Sequence, residues 1–87
     1  MAWAYRSRAG AYLVKGEYDK AIADCTEAIR LNPTLALAYA NRGDAYLRKG
    51  DDDRAVAGCT EAISLNPTDA RAYVERGAAY YNQGETG

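Results

Sequence analysis

Residues 39–72 read YANRGDAYLRKGDDDRAVAGCTEAISLNPTDARA, and residues 5–38 read YRSRAGAYLVKGEYDKAIADCTEAIRLNPTLALA. Laid over one another they agree at 21 of 34 positions, from Tyr5 and Tyr39 through Leu31-Asn32-Pro33-Thr34 and Leu65-Asn66-Pro67-Thr68. A third copy starts at Tyr73 and stops at Gly87, less than halfway along the unit. A period of this length marks a solenoid, in which each unit buries its apolar face only against its neighbours. Such a chain offers a surface more readily than a reaction centre.

Each copy divides into two helices. In the second, Ala38, Tyr39, Arg42 with Gly43, and Tyr46 recur at intervals of three and four, until Gly50 breaks the pattern. A glycine just past the last turn closes a helix by adopting the left-handed conformation. Asp51-Asp52-Asp53 then sets acidic groups against the positive end of the next helix. That helix carries Ala55, Val56, Cys59, Ala62 and Ile63 on one side and ends at Asn66-Pro67, because a residue before proline is pushed out of helical geometry. Thr68 or Asp69 caps the next start. The first copy reads the same way through Gly16, Asp19, Ala21, Ile22, Cys25, Ala28, Ile29 and Asn32-Pro33. The spacing predicts an all-α chain with helices over 2–15, 19–31, 35–49, 53–65 and 69–83, and no strands. One domain over 1–87 is expected, with repeats at about 5–38 and 39–72 and a partial one at 73–87.

Composition narrows the function classes. An apolar fraction of 48% in 87 residues fits a folded core, and no uninterrupted apolar run nears the length of a membrane span. Met1-Ala2-Trp3-Ala4-Tyr5-Arg6 goes straight into the repeat pattern, so no signal peptide is expected. A net charge of −1 argues against a nucleic-acid partner, which calls for a basic excess. Cys25 and Cys59 occupy equivalent points of successive repeats, where stacked helices hold them too far apart for a disulfide. With no histidine and two thiols, a zinc site lacks ligands, and no cofactor is expected. Buried, inert thiols in a reducing, cytoplasmic setting are anticipated.

The small and aromatic positions resemble the tetratricopeptide repeat: Tyr5, Ala9, Ala11-Tyr12, Gly16, Ala21-Ile22, Cys25, Ala28 and Pro33 in the first copy. The second supplies Tyr39, Gly43, Ala45-Tyr46, Gly50, Ala55-Val56, Cys59, Ala62 and Pro67, and the third Tyr73, Gly77, Ala79-Tyr80 and Gly84. Three departures stand out. Tyrosine replaces the usual tryptophan near each repeat start. Arg8, Arg42 and Arg76 stand where the family mostly has leucine. Cys25 and Cys59 fill a column usually held by a large aromatic, so looser packing is expected there. The resemblance implies a right-handed superhelix of antiparallel helix pairs, an α-solenoid whose first helices line a concave groove that binds a peptide.

The residues themselves point the same way. Each first helix has a second face with the helical period: Trp3, Arg6 with Ser7, Gly10, and Leu13 with Val14 in the first; Leu37, Ala40 with Asn41, Asp44, and Leu47 with Arg48 in the second; Arg71, Val74 with Glu75, Ala78, and Tyr81 with Asn82 in the third. An apolar column Leu13–Leu47–Tyr81 crosses the repeats, flanked by Arg6, Arg48 and Arg71. A helix needs one buried stripe; a second, partly apolar stripe suggests a partner, against the alternative of ordinary scattered surface hydrophobes. The candidate groove residues are therefore Trp3, Arg6, Leu13, Leu37, Asn41, Asp44, Leu47, Arg48, Arg71, Val74 and Tyr81. Some family members clamp a C-terminal carboxylate with lysines, asparagines and an arginine. The corresponding columns here hold Arg6, Gly10, Asn41, Arg71 and Glu75, so one position is empty and Glu75 has the wrong charge.

Other features admit two readings. The arginine column is either an anion ladder or a set of buried stems whose guanidinium groups are tied to a neighbouring acid or helix-end carbonyl, with Asp24 and Glu27 as first candidates. The Asp51-Asp52-Asp53 run lacks the spaced ligands of a calcium loop and reads as a solvated turn. No nucleophile–base pair, phosphate loop or metal cluster is recognisable, so the chain is not expected to be an enzyme. Finally, Asn82-Gln83-Gly84-Glu85-Thr86-Gly87 lies in the turn that would lead to a sixth helix. Tyr73, Gly77 and Tyr80 then form a ledge without its partner, which predicts a piece of a longer array that self-associates into a homo-oligomer.

Overall fold

A computed structural model describes residues 1–84, and Glu85, Thr86 and Gly87 lie outside it. Five helices follow one another: α1 (Ala2–Lys15), α2 (Tyr18–Leu31), α3 (Ala36–Lys49), α4 (Asp52–Leu65) and α5 (Ala70–Asn82). Every end falls within one residue of the position read from the sequence. The stops are built as expected. Gly16 and Gly50 take φ of 79° and 92°, a region costly for any side chain, and their N–H groups donate to the Leu13 and Leu47 carbonyls at 3.1 Å. Asn32 and Asn66 leave helical geometry before proline, and each Oδ1 accepts the hydroxyl of Thr34 or Thr68 at 2.9 and 2.8 Å. The starts differ between copies. Asp51 and Asp69 accept the N–H of Arg54 and Ala72, whereas their first-copy counterparts Glu17 and Leu35 make no side-chain cap bond.

Each helix packs on the next, and a second line of contact joins the first helices, α1 to α3 and α3 to α5. The pairs therefore stack as a solenoid with α1, α3 and α5 along one wall, and the molecule measures 41 × 26 × 17 Å. The core is made almost wholly of alanine. Ala9, Ala21, Ala45 and Leu13 surround Cys25 at one end, and Ala40, Ala62 and Ala72 meet at the other. The largest fully buried side chains are the two thiols. Small residues at the crossings bring helix axes close, while half-buried Tyr12, Tyr18, Ile22, Tyr39 and Ile63 close the edges. The looser packing anticipated in the cysteine column is absent at Cys59: a Cβ on Gly43 would lie 3.0 Å from its Sγ. Backbone approach has taken up the missing volume. Burial pushes the Cys25 thiol up to about 12 and the Cys59 thiol to about 11, so both stay protonated at neutral pH.

The arginine column corrects one expectation. Among the described residues, only Arg8 of the three is tied to an acid, through a two-pronged bond from Nε and Nη2 to Asp24 at 2.7 and 2.8 Å. Arg42 and Arg76 instead donate to the hydroxyls of Thr26 and Thr60 on the preceding helix, at 3.1 and 3.3 Å. Arg8, on α1, reaches forward to α2 instead. Glu27, the other candidate acid, accepts from Arg30 one turn along its own helix.

Candidate functional site

A cleft of about 590 Å³ opens on the wall shared by α1, α3 and α5. From α1 come Gly10, Leu13 and Val14, which helical spacing places on one face. Asn41, Asp44 and Arg48 project from α3 at intervals of three and four, and Arg71 and Glu75 from α5 at four. Lys15, Gly16 and Tyr18, at the α1–α2 turn, close one end.

The floor is a linked polar network. Arg48 Nε donates to Asp44 Oδ1 at 2.9 Å, and Arg71 Nη2 donates to Asn41 Oδ1 at 2.9 Å while standing 3.5 Å from Asp44 Oδ2. Arg71 Nε also donates to Glu75 Oε2 at 3.1 Å. Asp44 and Asn41 are buried, and Glu75 Oε1 is enclosed without a hydrogen-bond partner among the described residues. Burial first, and the neighbouring Asp44 carboxylate second, raise the Glu75 carboxyl to about 7, outweighing Arg71. Two arginines and two acids thus share the floor, and because Glu75 holds its proton up to about 7, Asp44 is the main counter-charge to the arginines at neutral pH.

The structure brings together Leu13, Asn41, Asp44, Arg48 and Arg71 from the sequence-derived set. The remaining six lie outside the cleft lining. Trp3, Leu37, Val74 and Tyr81 are exposed, and Leu47 is half-buried. Arg6 is half-buried too, with Nε enclosed and unpartnered among the described residues. The Leu13–Leu47–Tyr81 column is therefore not one continuous apolar strip: Leu13 belongs to the core cluster with Ala45, while Tyr81 is 71% exposed. Exposed apolar surface inside the cleft comes instead from Val14, one position beyond Leu13 and turned to the open side. Glu75 was legible as a groove position whose charge counted against a clamp. Tyr18 was missed because it lies beyond a turn, out of reach of any helical period. Among the described residues, no group of histidine, cysteine or acidic side chains is placed to hold a metal ion, and no helix is long and apolar enough to cross a membrane.

Among curated proteins, none matches the chain. A family model described as the TPR repeat matches residues 9–50 and again 43–84. Among solved structures, the second TPR of Spaghetti (RPAP3) bound to the HSP90 peptide SRMEEVD is 32% identical with a TM-score of 0.93, over 97% of this chain and 78% of that one. The second TPR domain of human RPAP3, in complex with the HSP70 peptide SGPTIEEVD, is 32% identical with a TM-score of 0.91, over 97% and 70%. MamA is 34% identical with a TM-score of 0.92, over 98% of this chain and half of its own. Period, helix pairing and these likenesses agree, and the chain belongs to the tetratricopeptide-repeat family.

Proposed function

We propose that this chain is a non-catalytic protein-interaction module that holds a polypeptide segment in the cleft of α1, α3 and α5. The observation that carries the reading is the cleft itself, built by all three first helices and lined by both exposed apolar and hydrogen-bonding groups. Two similar TPR domains hold chaperone-derived peptides, which supports an interaction role on this scaffold. The floor argues for a different ligand charge. An acidic peptide of the EEVD type meets Asp44 and Glu75, and the arginines it needs are already engaged. A neutral extended segment fits the cleft better.

Peptides selected from a random display library against the chain test this. Changing Val14→Glu together with Gly10→Glu alters cleft positions with open space around them and is expected to abolish capture of the selected peptides while leaving the helical signal intact. Lys20→Glu, outside the cleft, is expected to leave capture unchanged. Peptides that survive the double change would sink the assignment.

A second reading rests on α5. Tyr73 and Tyr80 are exposed, and the site of a Cβ on Gly77 faces open space, whereas their second-copy counterparts Tyr39, Gly43 and Tyr46 are covered or half-covered by neighbouring helices. Self-association through this ledge gives a homo-oligomer. Sedimentation of the chain at high micromolar concentration is expected to show a larger species that Tyr73→Ser with Tyr80→Ser removes. A monomer throughout would end this reading. The Glu85, Thr86 and Gly87 part of the expected turn lies outside the described residues.

A further inference from the structure

The second repeat contains a vacated carboxylate position. In the first repeat, Asp24 is 6% exposed and grips the Arg8 fork with both oxygens. The guanidinium also lies 5.8 Å from the ring centres of Tyr5 and Tyr12. Moving 34 positions along, Tyr39, Arg42 and Tyr46 repeat the frame, Arg54 replaces Lys20 with the same charge, and Glu61 repeats Glu27. Asp24 alone changes character, to Gly58. Beside Gly58 an open cleft of about 380 Å³ lies between α3 and α4, lined by this same frame. It shares no residue with the cleft of the first helices.

Arg42 is still held in place. Its guanidinium lies 5.8 Å from the Tyr39 ring centre, and Nη1 donates to Thr26 at 3.1 Å. Among the described residues it makes no ion pair, and Nε and Nη2 donate to no protein acceptor. Arg54 stands 5.9 Å from the Tyr46 ring centre and is paired with Asp51. A carboxylate on residue 58 does not fit the present spacing, since a Cβ there would lie 3.1 Å from Gly43 Cα and 3.3 Å from the Tyr39 carbonyl oxygen. The acid must therefore come from outside the helix pair.

We propose that the α3–α4 cleft binds a carboxylate of a partner polypeptide, with Arg42 providing a two-pronged bond and Tyr39 and Tyr46 walling the site. Planar fork-to-carboxylate pairing is the strongest recognition arginine makes, and the first repeat shows this frame supporting it. Glu61 sets the selectivity. Its counterpart Glu27 is engaged by Arg30, but Ser64 replaces that arginine, so among the described residues Glu61 makes no ion pair and repels a second acid. One carboxylate is accepted and an acidic run is disfavoured.

The test uses the chain labelled with nitrogen-15 and three capped glycine–serine peptides. One has an internal aspartate and an amidated end, one has asparagine in its place, and one has a free C-terminus with no acidic side chain. Saturable shifts of the Arg42 Nε–H and Gly58 amide signals are expected with the aspartate peptide and not with the asparagine peptide. Equal shifts from the free-end peptide would support the site and identify a chain terminus as a source of the carboxylate. Arg42→Lys keeps the charge but loses the fork, and is expected to weaken binding about tenfold or more with unchanged helicity. Glu61→Gln is expected to strengthen it. The proposal is overturned if aspartate and asparagine peptides behave alike, if Arg42→Lys binds as well as the parent, or if binding appears only in Glu61→Gln, which would mean that Glu61 already fills the place.

Discussion

The two helix-pair crossings occupy equivalent repeat positions yet meet differently. In the first pair, Ala9 lies at the crossing and Asp24 reaches across it to Arg8. In the second, Gly43 and Gly58 bring the two backbones together, and a Cβ on either would stand 3.0–3.1 Å from its nearest neighbour. The third occurrence of the position, Gly77, meets open space. One column of a repeat can thus hold a tight backbone contact, a salt-bridged crossing or a free surface. What decides is the element opposite it, not the residue alone.

The largest expected effect breaks the difference directly. Gly58→Asp restores the acid of the first crossing but forces it against Gly43 and Tyr39, so a loss of about 1–3 kcal/mol is expected from overpacking, measurable by urea unfolding. A gain in stability would show that the second crossing spreads freely. Glu75 comes next, because it contrasts the enclosed charges of the cleft floor with the exposed charges elsewhere. The folded chain holds its proton up to about 7, against 4.5 for the free side chain, so the native state binds more protons between those values. Stability is therefore expected to be fully present below about 4.5, to fall as pH rises toward 7, and to level off above. The full interval corresponds to about 3 kcal/mol, which solvent screening of the half-buried carboxyl cuts to the order of 1–2 kcal/mol, and Glu75→Gln should flatten the slope. A flat profile in the parent chain would contradict the buried placement of this carboxyl.

Smaller effects sharpen the same contrast. Gly77→Ala is expected to stabilise by about 0.5–1 kcal/mol, since the helix interior gains propensity and nothing meets the methyl. Gly43→Ala, at the equivalent point, should have the opposite sign because Cys59 and the Ala55 carbonyl stand in the way. Melting both variants beside the parent decides it; equal signs would refute the crossing geometry. Smallest in energy are the thiols: Cys25 and Cys59 should resist alkylation at pH 8 in the folded chain and react only on unfolding.

Much of the architecture was legible before any coordinate. Gly16, Gly50, Asn32-Pro33 and Asn66-Pro67 end helices through interactions confined to a few neighbouring residues, so helix limits could be read to within one residue. The candidate site was only partly legible. Val14 and Leu13 are adjacent in sequence and both apolar, yet one faces the cleft and the other joins the core. Helical periodicity gives a direction around one axis; it does not say how far the neighbouring helix has closed over that direction. The partners of Arg42 and Arg76 were misjudged for the same reason, because they lie on the preceding helix rather than beside an acid of their own pair.

The amino-acid order by itself determined the number of helices, their ends, their pairing into 34-residue units and the family to which the chain belongs. Those properties follow from local backbone preferences and from a repeating pattern of small and large side chains. The tertiary structure alone decided that Gly43 and Gly58 touch, that Arg42 reaches back to Thr26, and that Asp44 and Glu75 share an enclosed floor. Such facts depend on inter-helix distances of a few ångströms. Those distances arise from the simultaneous packing of several alanines, glycines and thiols, and no single stretch of chain encodes them.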